Sequence, residues 1–399
     1  MSQKLVSLNP DLSRLRADGY DIVIGKSGHL LVKDVPYVNS AKEVKRGLIV
    51  SDLDLAGEQT VPPKSHVVFF VPEYPCGVDG SPLPGVSQNT NQSLGEGLAP
   101  NYQISRKPLT GPTPGAYQDY YEKITTLLEI ISNPARALDP KVSAITHPIV
   151  VPDEGEPVFN YLDTAATKAG IVIANSKLEG GKLAIIGVGG TGSYILDLVA
   201  NTPVAEIHLF DGDVFLNHNA FRCPGAASLE DLSKRQKKVN FLAALYSRMR
   251  KNIIPHDWFI DEATVEQLKG MSFVFLSIDN GGGKRLIVER LEEWGVPFID
   301  VGMGIQLGED NTIGGIVTTT TSTAYKRDHL RHRVAFTDDE AVNEYSRNVQ
   351  IADLNALNAV LAVIKWKKLC GYYDDVSKEH FCAYTIRTNQ LISEDTHEA

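Results

Sequence analysis

Four glycines fall within six residues of the stretch "GKLAIIGVGGTGSYILDLVA", which begins at Gly181: Gly187, Gly189, Gly190 and Gly192. Gly187, Gly189 and Gly192 satisfy G-x-G-x-x-G between segments that read as a buried strand and a helix. Glycines let a backbone turn sharply and come close to phosphate. The helix that follows presents free N–H groups and the positive end of its dipole. Asp211 stands 24 residues beyond Gly187, at the end of the next apolar segment, "EIHLFD". An acid at that place accepts hydrogen bonds from ribose hydroxyls. The chemistry offered by this spacing is nucleotide binding.

Four further residues discriminate between nucleotides. Asn219 and Arg222 follow in "DGDVFLNHNAFR", Lys238 lies in "KRQKKVN", and Asp279 in "SIDN" closes another apolar segment. A hydride-transfer site has little use for Arg, Lys and Asp converging at one end of a sheet. A triphosphate does: Arg and Lys neutralise it and the charge growing on departing pyrophosphate, and an Asp at a strand's carboxyl end can hold Mg²⁺. Each residue has an ordinary alternative when taken singly. Asn219 can cap a turn, Lys238 can be a solvated lysine on a basic helix, and Asp279 can cap the helix that follows it. Together they favour ATP with Mg²⁺ over a nicotinamide or flavin.

Such residues need a scaffold to bring them together. From Lys182 onward the pattern alternates: "KLAIIGV" reads as a strand, "SYILDLVA" as a helix and "EIHLFD" as a second strand. "SKRQKKVNFLAALYSRMRKN" reads as one long helix, "SFVFLSIDN" as a strand, "KRLIVERLEEWG" as a helix and "VPFIDVG" as a further strand. Continuous apolar runs such as "FVFL" suit strands covered on both faces. The predicted fold class is α/β, a Rossmann-like doubly wound parallel sheet. "GGIVTTTTST" adds a strand, and "VQIADLNALNAVLAVIKWKKLCG" is an apolar helix with Gly371 at its end.

Residues 1–140 lack that alternation and predict a separate N-terminal α+β domain. There "VVFFV" (67–71) reads as one buried strand, and "PEYPCGVDGSPLPGVSQNTNQSLGEGLAP" as turns and loop without regular structure. "YQDYYEKITTLLEIIS" reads as a helix that "NPARALDP" closes. Residues 141–176, with Pro148, Pro152, Pro157 and a helix in "YLDTAATKAGI", predict a connector to a domain at 177–399.

A net charge of −10 argues against a general nucleic-acid binder, which needs a basic face to neutralise phosphate. No apolar run is long enough to span a bilayer, and "MSQKLVSLNPDL" has no apolar secretory core. The expectation is a cytoplasmic protein that binds neither membrane nor nucleic acid. The four cysteines, Cys76, Cys223, Cys370 and Cys382, form no C-x-x-C pair, which argues against a structural zinc site or a disulfide framework.

The glycine loop, "LFDGD", the Asn219-x-x-Arg222 pair, the Lys-Val at 238 and "SIDN" occur in an order that resembles the ThiF/MoeB and ubiquitin-activating-enzyme superfamily. The resemblance covers about residues 170 to 370. With "TVPPKSHVVFFVPEYPCGVDG", the chain is similar to bacterial ThiF-type proteins whose N-terminal domain has no assigned function. The resemblance implies an adenylyltransferase that activates the C-terminus of a ubiquitin-like protein with ATP and Mg²⁺. It implies a homodimer, a conjugating-type enzyme as partner, and an N-terminal domain that recruits one of these partners. Gly187, Gly189, Gly190 and Gly192 would cradle the nucleotide, Asp211 would bind its ribose and Asp213 would support the loop. Asn219, Arg222 and Lys238 would contact phosphates, and Asp279 would bind Mg²⁺. Alternatives are adenylation of a sulfur carrier in cofactor biosynthesis, a nicotinamide-dependent oxidoreductase, and a catalytically dead binding module.

Three features depart from the pattern. The Arg-to-Lys spacing leaves Lys237 as a rival to Lys238. The helix before the first strand offers Lys168 where relatives carry arginines that reach a partner's site. No cysteine lies between Val301 and Leu369, where onward-transferring relatives keep a nucleophile. Cys223 beside Arg222 is a weak substitute. Thr321, Ser322 and Thr323 offer hydroxyls in the right region, although threonines there equally build a strand. "KRDHLRHR" (326–333) is a basic cluster, either a solvated loop or a contact for pyrophosphate or an acidic partner.

Overall fold

The computed structural model describes residues 2–88, 94, 100, 102–108, 115–151, 158–279, 281–336 and 349–396. Of the features singled out above, Pro152, Pro157, Asn280 and residues 89–93 and 95–99 lie outside them. The chain divides into two compact units, one of residues 1–156 with 161–172 and one of 157–160 with 173–399.

The first unit contains α1 (Ser2–Leu8), α2 (Pro10–Ala17), β1 (Ile22–Ile24), β2 (Leu30–Val38), β3 (Val44–Ser51), β4 (Leu55–Ala56), β5 (Gln59–Thr60), β6 (Val67–Val71), β7 (Val86–Gln88), β8 (Tyr102–Ser105), α3 (Tyr120–Leu138) and α4 (Thr164–Ala169). Six strands form an antiparallel sheet in the order β1-β2-β3-β6-β8-β7. Leu12 and Leu15 of α2 and Ile124, Leu127 and Ile131 of α3 pack on one face of it, against Val32, Val35, Ile49, Val68 and Phe70. The sequence marked one strand here, because β2 and β3 mix charged with apolar residues and do not stand out as apolar runs. β7 lies inside the stretch expected to have no regular structure. It is a three-residue strand held by pairing to β8 alone. α3 begins where Asp119 accepts the Glu122 N–H, but "NPARALDP" does not close it. The helix carries Pro134 and runs on to Leu138, because buried Ile131 and Ala135 continue its apolar stripe.

The second unit follows α5 (Val172–Ser176). It contains β9 (Gly180–Ile186), α6 (Gly190–Ala200), β10 (Val204–Phe210), α7 (Asn217–Ala220), α8 (Leu229–Ser233), α9 (Lys238–Tyr246), β11 (Ile253–His256), β12 (Phe273–Leu276), α10 (Gly281–Trp294), β13 (Phe298–Leu307), β14 (Ile313–Ser322), α11 (Leu330–Arg333), α12 (Ala352–Leu369), β15 (Phe381–Thr385) and β16 (Gln390–Glu394). The eight-stranded sheet has the order β11-β10-β9-β12-β13-β14-β15-β16. The first five strands are parallel, and the last three are added antiparallel.

Residues alternate between the two faces, as the strand period requires. Leu183 and Ile185 of β9 join a core with α6, α9 and α12. Ala184 and Ile186 join another with α10 and α11. The sheet is therefore wound on both sides. The chain leaves β9 toward β10 and returns to β12 on β9's other side, so the strand order reverses beside the glycine loop. Ligand clefts of open α/β sheets form at such a point.

Of the long helix expected over "SKRQKKVNFLAALYSRMRKN" (233–252), α9 is the helical part; α8 ends at Ser233, and the chain breaks at residues 234–237, where Arg235 has φ +44°. The break has a physical cause. Phe215 N–H donates to the Gln236 carbonyl at 2.8 Å and Lys238 N–H to the Asp213 carbonyl at 2.9 Å, which pins residues 236–238 against the end of β10.

All three tryptophans, Trp258, Trp294 and Trp366, lie in the second unit, so tryptophan fluorescence reports its unfolding. Trp366 of α12 is buried edge-on to Phe275 of β12 at 6.2 Å between ring centroids. Trp366→Ala is expected to lower the stability read by fluorescence in urea by about 3–5 kcal/mol. Leu391→Ala, on an exposed side chain of β16, should cost under about 0.5 kcal/mol.

Candidate active site

A cleft of about 410 Å³ opens at the carboxyl ends of β9, β10, β12 and β13. Gly187, Gly189, Gly190, Asp211, Asp213, Arg222, Lys238 and Asp279 line it. Two residues expected at the site stand behind its wall. Asn219 is buried, with Oδ1 accepting the Leu216 N–H at 2.9 Å. Gly192 packs against the loop: a Cβ there would overlap the Gly187 carbonyl oxygen.

The loop is shaped by close approaches. Gly187 has φ +79°, and a Cβ on it would overlap the Ser277 carbonyl at the end of β12. A Cβ on Gly190 would overlap the side chain of Asn355. Gly189 alone of the four faces open space, so packing does not explain its lack of a side chain. That is the position where a ligand's approach to the backbone can be unhindered.

Asp211 braces this loop. Its Oδ2 accepts the Val188 N–H at 3.0 Å and its Oδ1 the Asp213 N–H at 2.9 Å. Lys238 Nζ lies 3.6 Å from Asp211 Oδ2 and donates to Asp213 Oδ2 at 2.6 Å. The two N–H groups leave Asp211 about two of its four lone-pair sites, with Lys238 close enough to attract but not to hydrogen-bond it. Lys237 turns away and donates to the Gly212 carbonyl, so it is Lys238 that faces the cleft.

Next to these acids stand donors with nothing to bond. Asn219 Nδ2 and Arg222 Nε are buried without a hydrogen-bond partner. An orphaned buried donor costs about 1–3 kcal/mol, which a ligand's acceptor oxygens can recover.

Several contributors escaped the sequence reading. Asn355 is fully buried on α12. Its Oδ1 accepts from Thr191 Oγ1 at 3.1 Å and its Nδ2 donates to the Arg222 carbonyl at 3.4 Å. One amide thus joins α12, the glycine-loop helix and the Arg222 segment. Asn358 and Gln350 also line the cleft. Asn355 and Asn358 lie on the same stripe as buried Ala359, Ala362 and Trp366. Two amides on a helix's apolar face were the signal available. Asp300 is buried in β13 with Lys284 Nζ 2.8 Å away. Burial pushes its carboxyl above the ordinary range, and Lys284 opposes that.

The remaining candidates stand apart from the cleft. Thr321 and Ser322 are buried strand residues of β14, paired with Ile299 and Phe298. They lie at the amino end of β13, about 10 Å along the strand from Gly302 at ~3.3 Å per residue. Most charges of the basic cluster are satisfied internally: Lys326 pairs with Asp328, Arg333 with Glu394 and Asp395, and Arg327 holds the Thr323 and Glu292 carbonyls. Arg331 and His332 remain exposed. Lys168 is an exposed residue of α4 in the first unit. Cys223 is buried, and its thiol donates to the Gly189 carbonyl at 3.4 Å. Burial raises all four thiols above their ordinary pKa, with Cys370 pushed up to about 11.

Comparison with known proteins gives two family matches. Residues 10–164 match a domain of unknown function (DUF6791), and residues 166–395 match the ThiF family. Among solved structures, that of E. coli MccB with ATP is similar at 17% identity over 59% of this chain and 70% of that chain, with a TM-score of 0.46. E. coli MccB with MccA-N7isoASN gives 16%, 59%, 70% and 0.45 in the same terms. PaaA gives 18%, 57%, 67% and 0.42. No curated protein matches.

Two outcomes follow from this geometry. Asp211→Ala removes a buried carboxylate that holds two backbone N–H groups and should cost about 3 kcal/mol in a urea titration. Asp213→Ala, on a side chain 57% exposed, should cost about 1 kcal/mol or less. Because only the thiolate reacts, iodoacetamide at pH 7.5 should alkylate the native cysteines at least about 10-fold more slowly than those of the urea-unfolded chain.

Proposed function

Because the chain belongs to the ThiF family, whose model covers more than half its length, we propose that the cleft adenylates the C-terminal carboxylate of a peptide or protein with ATP. The observation that carries this reading is the orphaned donor Arg222 Nε beside the cation Lys238, both lining the cleft at one end of a parallel sheet. Phosphate oxygens satisfy it. Gly189 leaves the space for them, and Asp211 keeps an acceptor site for a ribose hydroxyl. A nicotinamide cofactor gives Asp279 no role.

The residues present fit Mg²⁺ as well. Among the described residues no three His, Cys, Asp or Glu side chains cluster as a metal cage. A single carboxylate such as Asp279, with substrate phosphates and water completing the shell, is how Mg²⁺ is commonly held. When bound there it neutralises phosphate charge. The chain's own part is positioning and electrostatics. The substrate carboxylate is already ionised at neutral pH and needs no general base to attack the α-phosphorus. Arg222 and Lys238 offset the charge that builds on the departing pyrophosphate. For that, Lys238 exchanges its contact with Asp213 for one with phosphate, while Asp211 stays braced by the loop.

The substrate class we propose is a ubiquitin-like protein, handed on to a conjugating-type enzyme. The support is the sequence resemblance together with the thiols. With all four held in the protonated form, an acyl-adenylate is better discharged onto another protein's nucleophile than onto this chain. The N-terminal unit is proposed to recruit one of these partners. A homodimer belongs to the same proposal. α12 spends most of its apolar face inside its own unit. Phe221 and Leu229, 87% and 88% exposed, offer a second copy more surface.

Exchange of labelled pyrophosphate into ATP, driven by recombinant candidate ubiquitin-like proteins, tests this. Arg222→Ala and Lys238→Ala should each reduce exchange about 100-fold or more, with tryptophan-monitored unfolding confirming a folded unit. Exchange that survives both substitutions would remove the roles given to Arg222 and Lys238, and absence of exchange with the unmodified protein would remove the adenylation reading.

A further inference from the structure

The cleft carries unmet hydrogen-bonding capacity of opposite sign on two walls. On the wall that carries Arg222 the unmet group is a donor, Arg222 Nε, assigned above to phosphate. On the α12 wall the unmet groups are acceptors. Asn358 Oδ1 and Gln350 Oε1 are buried and accept nothing, and both residues line the cleft. Their orientation is set by their other ends. Asn358 Nδ2 donates to the Gly302 carbonyl at 2.9 Å, and Gln350 Nε2 faces Asp279 Oδ2 at 3.4 Å. A carbonyl and a carboxylate only accept, so each contact fixes the amide nitrogen and leaves the oxygen as the end without a partner.

An orphaned acceptor on a fully buried asparagine is costly, and a ligand N–H removes that cost. Phosphate oxygens are themselves acceptors and cannot supply one. The adenine amino group can, but the strand order separates it from Asn358. The ribose acid Asp211 ends β10, whereas the Gly302 that Asn358 holds lies on β13. The steps β10-β9-β12-β13 amount to about 14 Å at ~4.8 Å each. Phe259 and Ile260, which follow β11 and also line the cleft, offer an adenine ring apolar surface on the Asp211 side. The α12 wall therefore faces the part of the cleft left for the acyl substrate.

Resting on the adenylation reading, we propose that Asn358 and Gln350 read the backbone of that substrate. Their side-chain oxygens accept N–H groups from the last residues of an extended peptide tail whose carboxylate lies toward Arg222 and Asp279. The substrate this selects is a peptide with unsubstituted terminal amides. Tails bearing proline or an N-methylated residue at those positions are rejected, because they leave a buried acceptor unpaired and add a methyl group against it. Recognition through main-chain groups, with little demand on side chains, is what a cleft next to Gly302 can enforce.

The test is calorimetric and uses the full chain with stable acyl-adenylate mimics. One is a sulfamoyl adenosine carrying acetyl-glycyl-glycine, and the other carries the acetyl-sarcosyl-sarcosine counterpart, in which methyl groups replace both amide hydrogens. The unmodified protein should bind the glycyl mimic at least about 10-fold more tightly. The preference should fall to within about 2-fold in Asn358→Ala, and should be visibly reduced in Gln350→Ala, the milder change if the first variant folds poorly. Equal binding of the two mimics by a protein that also binds ATP would overturn the tail proposal and leave adenylation standing. Failure to bind ATP and both mimics would overturn the adenylation reading itself.

Discussion

The carboxylate of Asp211 holds the glycine loop through Val188, the following turn through Asp213, and lies 3.6 Å from the Lys238 ammonium. Almost every other feature of the cleft depends on that arrangement. The loop can rise from β9 only because an acceptor at the end of β10 meets its first N–H. Lys238 can face the cleft only because α8 and α9 are broken where the chain returns to Asp213. Asp211 is buried and held by two backbone donors, with a cation close by. It also holds Lys238 in place beside the residues assigned to phosphate.

The sheet order then sorts the cleft into zones. Strands at roughly 4.8 Å spacing separate an end near β10 and β11, lined by Phe259 and Ile260, from an end near β13, lined by Gly302 and Asn358. A donor without a partner, Arg222 Nε, belongs to the first wall and acceptors without partners to the second. One protein surface thereby offers complementary sites to an anion and to a peptide backbone. Asn355 ties the walls together, since α12 reaches both the loop helix and the Arg222 carbonyl through a single amide.

Much of this was legible in the sequence, for physical reasons. The glycine loop, Asp211 and strand-ending Asp279 each sit at a fixed offset from an apolar strand, and short-range patterns survive in one dimension. The doubly wound fold was readable because buried parallel strands are continuous apolar runs. What escaped is long-range or exceptional. Asn355 and Asn358 lie more than 160 residues after Gly187, and only folding brings them beside it. The break before Lys238 comes from tertiary hydrogen bonds to Asp213 and Phe215, which override local helix propensity. Pro134 was read as a helix end, yet the buried face of α3 carried the helix past it. The antiparallel sheet of the first unit was missed because its strands mix Lys, Arg and Asp with apolar residues, a pattern that resembles loop.

The central claim is that this cleft is built for ATP with Mg²⁺ and not for a dinucleotide. Calorimetric titration of the unmodified protein and of Asp279→Ala, with ATP plus Mg²⁺ and separately with NAD, tests it directly. The account predicts ATP binding that depends on Mg²⁺, weakens about 10-fold or more in Asp279→Ala, and has no counterpart with NAD. Binding of NAD without binding of ATP would contradict it.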